Sequence, residues 1–119
     1  MDDEKKRQFK QRMDLLHKKY CEQLPQKYQE IEDSWNEYKT DLSNPELIDT
    51  FYRVIHTFKG TAATFGFITQ ADICFEIQKL LLDVKEDHSI LPNDSIAKVQ
   101  KLLNEFKINI NTPAQDITD

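Results

Sequence analysis

Apolar residues recur along this chain at intervals of three and four, and where the rhythm lapses a proline, a glycine or a polar cluster stands in its place. That is the signature of successive amphipathic helices. Phe9, Met13, Leu16 and Tyr20 form one stripe and predict a helix over about residues 3–22. Pro25 is tolerated in a first turn but not in a helix interior. It therefore predicts a second helix over about 25–41, with Leu24, Tyr28, Ile31, Trp35 and Tyr38 inward; one long helix kinked at Pro25 is the alternative. Asn44 followed by Pro45 is a strong start signal, opening a third helix over about 45–65.

Thr69 offers a cap for a fourth helix, over about 70–87, with two apolar stripes. Ile73, Ile77, Leu80 and Val84 make the first; Ala71, Phe75 and Leu82 make the second, with Gln78 set inside it. A helix apolar on so much of its surface packs on two sides, and a buried amide needs a hydrogen-bond partner. Asn93 or Asp94 caps a last helix over about 93–109, with Ile96, Val99, Leu103, Phe106 and Ile110 inward. Residues 111–119 show no periodicity and read as a flexible tail or linker after a domain of residues 1–110. The expected architecture is all-α, an antiparallel up-and-down four-helix bundle with the N-terminal helix packed across one end.

Composition narrows the function. The 119 residues suffice for one domain with one core, and 2 glycines with 31% charged residues suit an all-helical protein. A net charge of −5 with no dominant basic face argues against nucleic acid and anionic membrane as partners. No apolar run approaches the roughly 20 residues that span a bilayer, and the charged start lacks the apolar core of a signal peptide. A cytoplasmic location is the expectation. Cys21 and Cys74 are too few and too far apart for a disulfide framework, and no Cys or His pair has metal-ligand spacing. His17, beside two lysines, and His88, in a loop, read as ordinary surface residues. A small bundle with no spare apolar helix face is expected to be a monomer.

The candidate chemistry lies in the third helix, at His56-Thr57-Phe58-Lys59-Gly60-Thr61-Ala62-Ala63-Thr64-Phe65-Gly66. At 100° per residue His56, Lys59, Gly60 and Ala63 share one side, while Phe51, Ile55, Phe58, Ala62 and Phe65 share the other. The histidine therefore points outward. Glycine in mid-helix costs about 1 kcal/mol relative to alanine, so Gly60 needs a reason, and access for another protein to the His56 ring supplies one. Gly66 suits the left-handed residue that ends the helix.

The pattern H-x-x-K-G-x-A-x-x-x-G from His56 to Gly66 resembles the signature of histidine-containing phosphotransfer (HPt) domains of bacterial and fungal phosphorelays. The fold implied by the resemblance is the same helical bundle. It also implies a phosphocarrier without kinase activity of its own, with His56 as phosphoacceptor, Lys59 stabilising the phosphoryl charge and Gln78, 22 positions after the histidine, orienting the imidazole. Receiver domains of response regulators or hybrid kinases are the implied partners. Docking is expected on Tyr52, Gly60 and Ala63, with Phe67 at the end of that face. No cofactor is expected in the chain, and Mg²⁺ would come with the receiver. Imidazole, with an ordinary pKa of about 6.5, offers an unprotonated nitrogen near neutral pH, and a neighbouring cation matches the charge on the transferred oxygens.

Two alternatives stand beside the relay. One is a phosphotransfer module of a chemotaxis-type or hybrid histidine kinase, or of another multidomain signalling protein. Thr64-Phe65-Gly66-Phe67 resembles the chemotaxis kinase's module, although that module typically has glutamate where Gln78 stands. The other is a helical adaptor that binds a receiver without being phosphorylated. An independent enzyme fits worst, since no phosphate loop, paired carboxylates or nucleophile-base pair is present.

Overall fold

A computed structural model describes residues 2–110. Over those residues the chain is helical without a strand: α1 Asp2–Thr40, α2 Pro45–Thr64, α3 Ile68–Asp87 and α4 Asn93–Asn109. The connections are short, 41–44, 65–67 and 88–92. The expected tail, 111–119, lies outside the described residues.

The two helices expected over about 3–22 and 25–41 are one. α1 runs unbroken through Pro25 for 39 residues, a length of about 58 Å. An interior proline removes a hydrogen bond and crowds the carbonyl four residues back, at about 3 kcal/mol. Pro25, however, sits on the exposed side of α1, while Tyr20, Leu24, Tyr28, Ile31, Trp35 and Tyr38 are all 5% exposed or less. That stripe keeps its phase across the proline. Each of its side chains gains about 1.5–3 kcal/mol on burial, so keeping the six in one element outweighs the local penalty. The first half of α1 therefore does not fold across an end of the bundle. It runs on past the other helices, and the molecule measures 57 × 25 × 21 Å. The inward stripe expected there is only partly met: Met13 is half-buried, but Phe9 is 52% and Leu16 42% exposed.

The ends of α2 follow from its sequence. The Asn44 side chain accepts the Glu46 backbone N–H at 2.9 Å, with Pro45 in the first turn. At the other end Gly66 takes φ 84°. Its N–H reaches the Ala63 carbonyl at 3.3 Å, and the Phe67 N–H reaches Ala62 at 2.8 Å, the paired bonds that close a helix through a left-handed residue. The turn carries Phe67 back beneath α1. α4 starts after Pro92, and no side chain caps it, neither Asn93 nor Asp94.

The core joins all four helices. Trp35 meets Phe51 at 5.2 Å between ring centroids, and Phe106 meets Tyr28 at 5.4 Å and Phe58 at 5.0 Å. Trp35 Nε1–H donates to Gln100 Oε1 at 3.0 Å, linking α1 to α4. α3 buries Ala71, Ile73, Cys74, Ile77, Leu81 and Val84. Of the second stripe expected on it, Phe75 and Leu82 are exposed, at 48% and 40%. The buried arc is centred between the two expected stripes, on Cys74, Ile77 and Leu81.

Both cysteines are free thiols. Burial pushes the Cys74 thiol up to about 12, and burial with the Glu32 hydrogen bond pushes the Tyr28 phenol up to about 12. Groups that hold protons more tightly when folded contribute stability below their ordinary pKa and lose it as pH rises toward the folded value. The unfolding temperature is therefore expected to hold steady up to about pH 9 and to fall toward pH 12. Cys74 should resist alkylation at pH 8 until the chain unfolds. Rapid labelling of Cys74 in the folded protein would contradict this packing.

Candidate functional site

α2 buries Ile48, Phe51, Ile55, Phe58 and Ala62, and that phase turns His56, Gly60 and Ala63 to solvent, with Lys59 half-buried. The histidine is exposed but not loose. On α3 the Gln78 side chain, 6% exposed, brings its amide nitrogen 2.9 Å from His56 Nδ1. The Tyr52 ring lies one turn back, nearly parallel to the imidazole at 6.3 Å. Lys85 stands over Tyr52 at 5.2 Å and pairs with Asp49 at 3.5 Å, fastening α3 to α2 at the same place. Nε2, across the imidazole from Gln78, is the nitrogen left for chemistry.

The direction of the Gln78 hydrogen bond depends on the imidazole tautomer. With the amide nitrogen at Nδ1, the N–H donates and the ring proton resides on Nε2, which then has no lone pair to offer. Gln78 Oε1 is meanwhile buried without a partner. Half a turn about the Gln78 Cγ–Cδ bond satisfies that oxygen: it accepts from Nδ1–H, and the imidazole Nε2 lone pair is freed. The two amide ends are nearly the same size, so the exchange leaves the packing intact.

A shallow open depression lined by His56, Thr57, Gly60, Thr61, Thr64 and Phe65 runs down α2 from the imidazole. A Cβ at Gly60 would meet nothing within 4 Å. Among the described residues the glycine therefore serves no helix crossing. What it keeps clear is space above the helix.

Lys59 Nζ lies 5.4 Å from the centroid of the Phe75 ring, and Lys79 Nζ lies 5.0 Å from the same ring. Lys79 also pairs with Glu76 at 3.0 Å. Phe75 thus draws the Lys59 and Lys79 ammonium groups, one from α2 and one from α3, to a single ring by cation–π attraction. Sequence reasoning missed both Phe75 and Lys79. The signal was there, since Lys79 adjoins Gln78 and Phe75 lies one turn earlier, but an aromatic at helical spacing reads first as core.

Among the expected docking residues, Tyr52, Gly60 and Ala63 share the His56 face. Phe67 does not. It is 0% exposed, because the Gly66 turn tucks it against Tyr20 at 5.0 Å and His17 at 4.6 Å. His17 differs from its expectation too: half-buried, it stacks on Phe67, with Nδ1 3.8 Å from Cys21 Sγ. His88 is exposed, as expected, and ends α3 with φ 53°. Among the described residues no three His, Cys, Asp or Glu side chains converge as a metal site would require, and no helix is long and apolar enough to cross a membrane.

An exposed imidazole, held at one nitrogen, thus stands on an open face of the four-helix scaffold. The Hpt domain pattern matches residues 15–108, and the chain belongs to the Hpt domain family. The chemotaxis protein CheA of Listeria monocytogenes and that of Listeria innocua are each 29% identical to it over 68 residues. The shared region is 57% of this chain and 11% of each relative, so the chain spans a small part of their length.

Proposed function

We propose that His56 carries a phosphoryl group on Nε2, taken from the phosphoaspartate of one receiver domain and yielded to the aspartate of another. The observation that carries this reading is the His56 ring itself, exposed to solvent yet gripped at Nδ1 by Gln78, 2.9 Å away. The Nε2 lone pair attacks phosphorus in line with the acyl oxygen. The P–N bond forms as the P–O bond breaks, and the departing aspartate leaves as a carboxylate. Nδ1 keeps its proton throughout and donates it to Gln78 Oε1, which stabilises the positive charge the ring acquires. Lys59 and Lys79, held near on Phe75, face the oxygens of the transferring group, where charge stabilisation and positioning are most of the catalysis. Mg²⁺ belongs to the receiver. The chain itself is a phosphocarrier with no kinase activity of its own, working as a cytoplasmic monomer, and its short connections favour helices alternating up and down.

The likeness to CheA favours a second reading, a module phosphorylated by a kinase catalytic domain. Gln78 weighs for the relay, since an amide orients the imidazole where a carboxylate would also raise its basicity. Labelled phosphate offered from phosphorylated receivers, and separately from ATP with a kinase catalytic domain, distinguishes the two. Label from receivers alone is the expected result; label from the kinase alone selects the chemotaxis-type module.

Replacing Gln78 by leucine should slow transfer at saturating receiver on the order of 100-fold, because a ring free to turn loses its aligned attack geometry. Gln78→Glu, which can still accept from Nδ1–H, should recover much of it. An unchanged rate in Gln78→Leu would remove the amide from the mechanism.

A further inference from the structure

The first half of α1 is unlike the rest of the molecule. Residues 5–19 hold seven Lys and Arg against one Asp; with Asp2, Asp3 and Glu4 at its tip the arm, residues 2–19, carries +3 in a chain whose net charge is −5, so that all other residues together carry −8. Residues 2–12 are exposed throughout, and the longest dimension of 57 Å reflects this arm extending past helices about half its length. Its side chains engage mainly one another, as in the Arg7–Glu4 pair and Lys10–Asp14 at 3.3 Å. Residues 2–14 also precede the Hpt match, which begins at 15. The arm is an addition to the phosphotransfer domain, and the domain's core does not need it.

Its position ties it to the His56 face. Thr64 and Phe65 line the depression that starts at His56, and they also line a groove completed by Lys10, Met13, Asp14 and His17 of α1. The two concavities are therefore continuous. From His56 to Thr64 is eight residues of helix, about 12 Å, and a specific protein interface of about 800 Å² per partner spans more than that. Phe9 and Leu16, large apolar side chains left exposed on the arm, adjoin Lys10 and His17 of that groove along the chain.

We propose that this arm is a steering and docking element for the same receiver that meets His56. This rests on the phosphorelay reading above and adds the arm to it. A receiver presenting a phosphoaspartate and Mg²⁺ needs carboxylates to hold the metal, so its docking face is electronegative. It would be repelled by the remainder of the chain, which carries −8, unless a cationic element met it. Charges at the rim of an interface act chiefly on the association rate and its salt dependence. A lipid surface is the weaker occupant, because Asp2, Asp3 and Glu4 at the tip of the arm would meet anionic headgroups first.

The test uses the full chain with Lys5, Lys6, Lys10 and Arg12 all changed to Gln, which keeps helix propensity and leaves every residue of the His56 site in place. The donor is the receiver domain, phosphorylated by a small acyl phosphate, that transfers fastest to the wild type. At low ionic strength the second-order rate of transfer should fall about tenfold. The difference should shrink toward none in 0.5 M salt, and the first-order rate at saturating receiver should not change. Phe9→Ser with Leu16→Ser should weaken receiver affinity in the same assay. Equal second-order rates at low salt would overturn the proposal while leaving His56 as phosphocarrier. So would arm-dependent binding to phosphatidylglycerol vesicles with transfer unaltered. A wild type that accepts phosphate from no receiver would instead overturn the phosphorelay reading and the arm with it.

Discussion

His56→Gln is expected to abolish phosphate uptake from every donor while moving the thermal unfolding midpoint very little. Transfer requires a nitrogen lone pair that glutamine lacks, so the loss should be complete rather than graded. The stability effect should stay within about 0.5 kcal/mol, the usual range for surface positions, because His56 is exposed and the core beneath it is made by Ile55, Phe58 and Phe51. Its contacts are the hydrogen bond to Gln78 and the parallel Tyr52 ring at 6.3 Å. Phosphotransfer and thermal melting on the same preparation check both halves. Residual uptake would place the phosphoacceptor elsewhere, and a large drop in stability would make His56 a structural residue.

Gly60 gives the opposite signature, a gain in stability with a loss of function. Gly60→Ala should stabilise the protein by up to about 1 kcal/mol, the helix-interior difference between the two residues, since the added Cβ meets nothing within 4 Å. Gly60→Gln keeps a good helix former but raises a long side chain one turn from His56, between the imidazole and the partner. Reacting atoms must come within about 3–3.5 Å, and a 1 Å misplacement costs about 100-fold. Transfer to Gly60→Gln should therefore fall by at least that factor, with the fold intact by circular dichroism and melting. Wild-type transfer by the Gln variant would mean that the partner approaches from another side.

The helical phase of α2, the cap at Asn44 and the left-handed stop at Gly66 were all legible in the sequence, because each depends on residues within a turn or two. So was the need of Gln78 for a partner, because a polar side chain on a buried arc must be satisfied; that the partner is His56 was implied by the HPt resemblance alone. The continuity of α1 was not legible. It is decided by six side chains packing against other helices, a tertiary gain that local rules about Pro25 do not contain. Phe67 and Phe75 exchanged their expected places for a related reason. Both are aromatics beside the motif, and only the Gly66 turn and the centring of the α3 arc on Cys74, Ile77 and Leu81 decide which is buried. Lys79 went unnoticed because a single lysine on a helix surface carries no signal until its neighbour across the groove is known. The charge of the arm was hidden by the acidity of the whole, since a net −5 averages a basic stretch in the first half of α1 with an acidic remainder.

The most direct test of the account is ¹⁵N NMR of the histidine rings before and after reaction with a phosphorylated receiver. With three histidines in the chain, the signals can be assigned by comparison with His56→Gln. The account predicts one phosphorylated imidazole, that of His56, with phosphorus on Nε2 and the proton retained on Nδ1. Phosphorus on Nδ1, on His17 or His88, or on no histidine at all would contradict it.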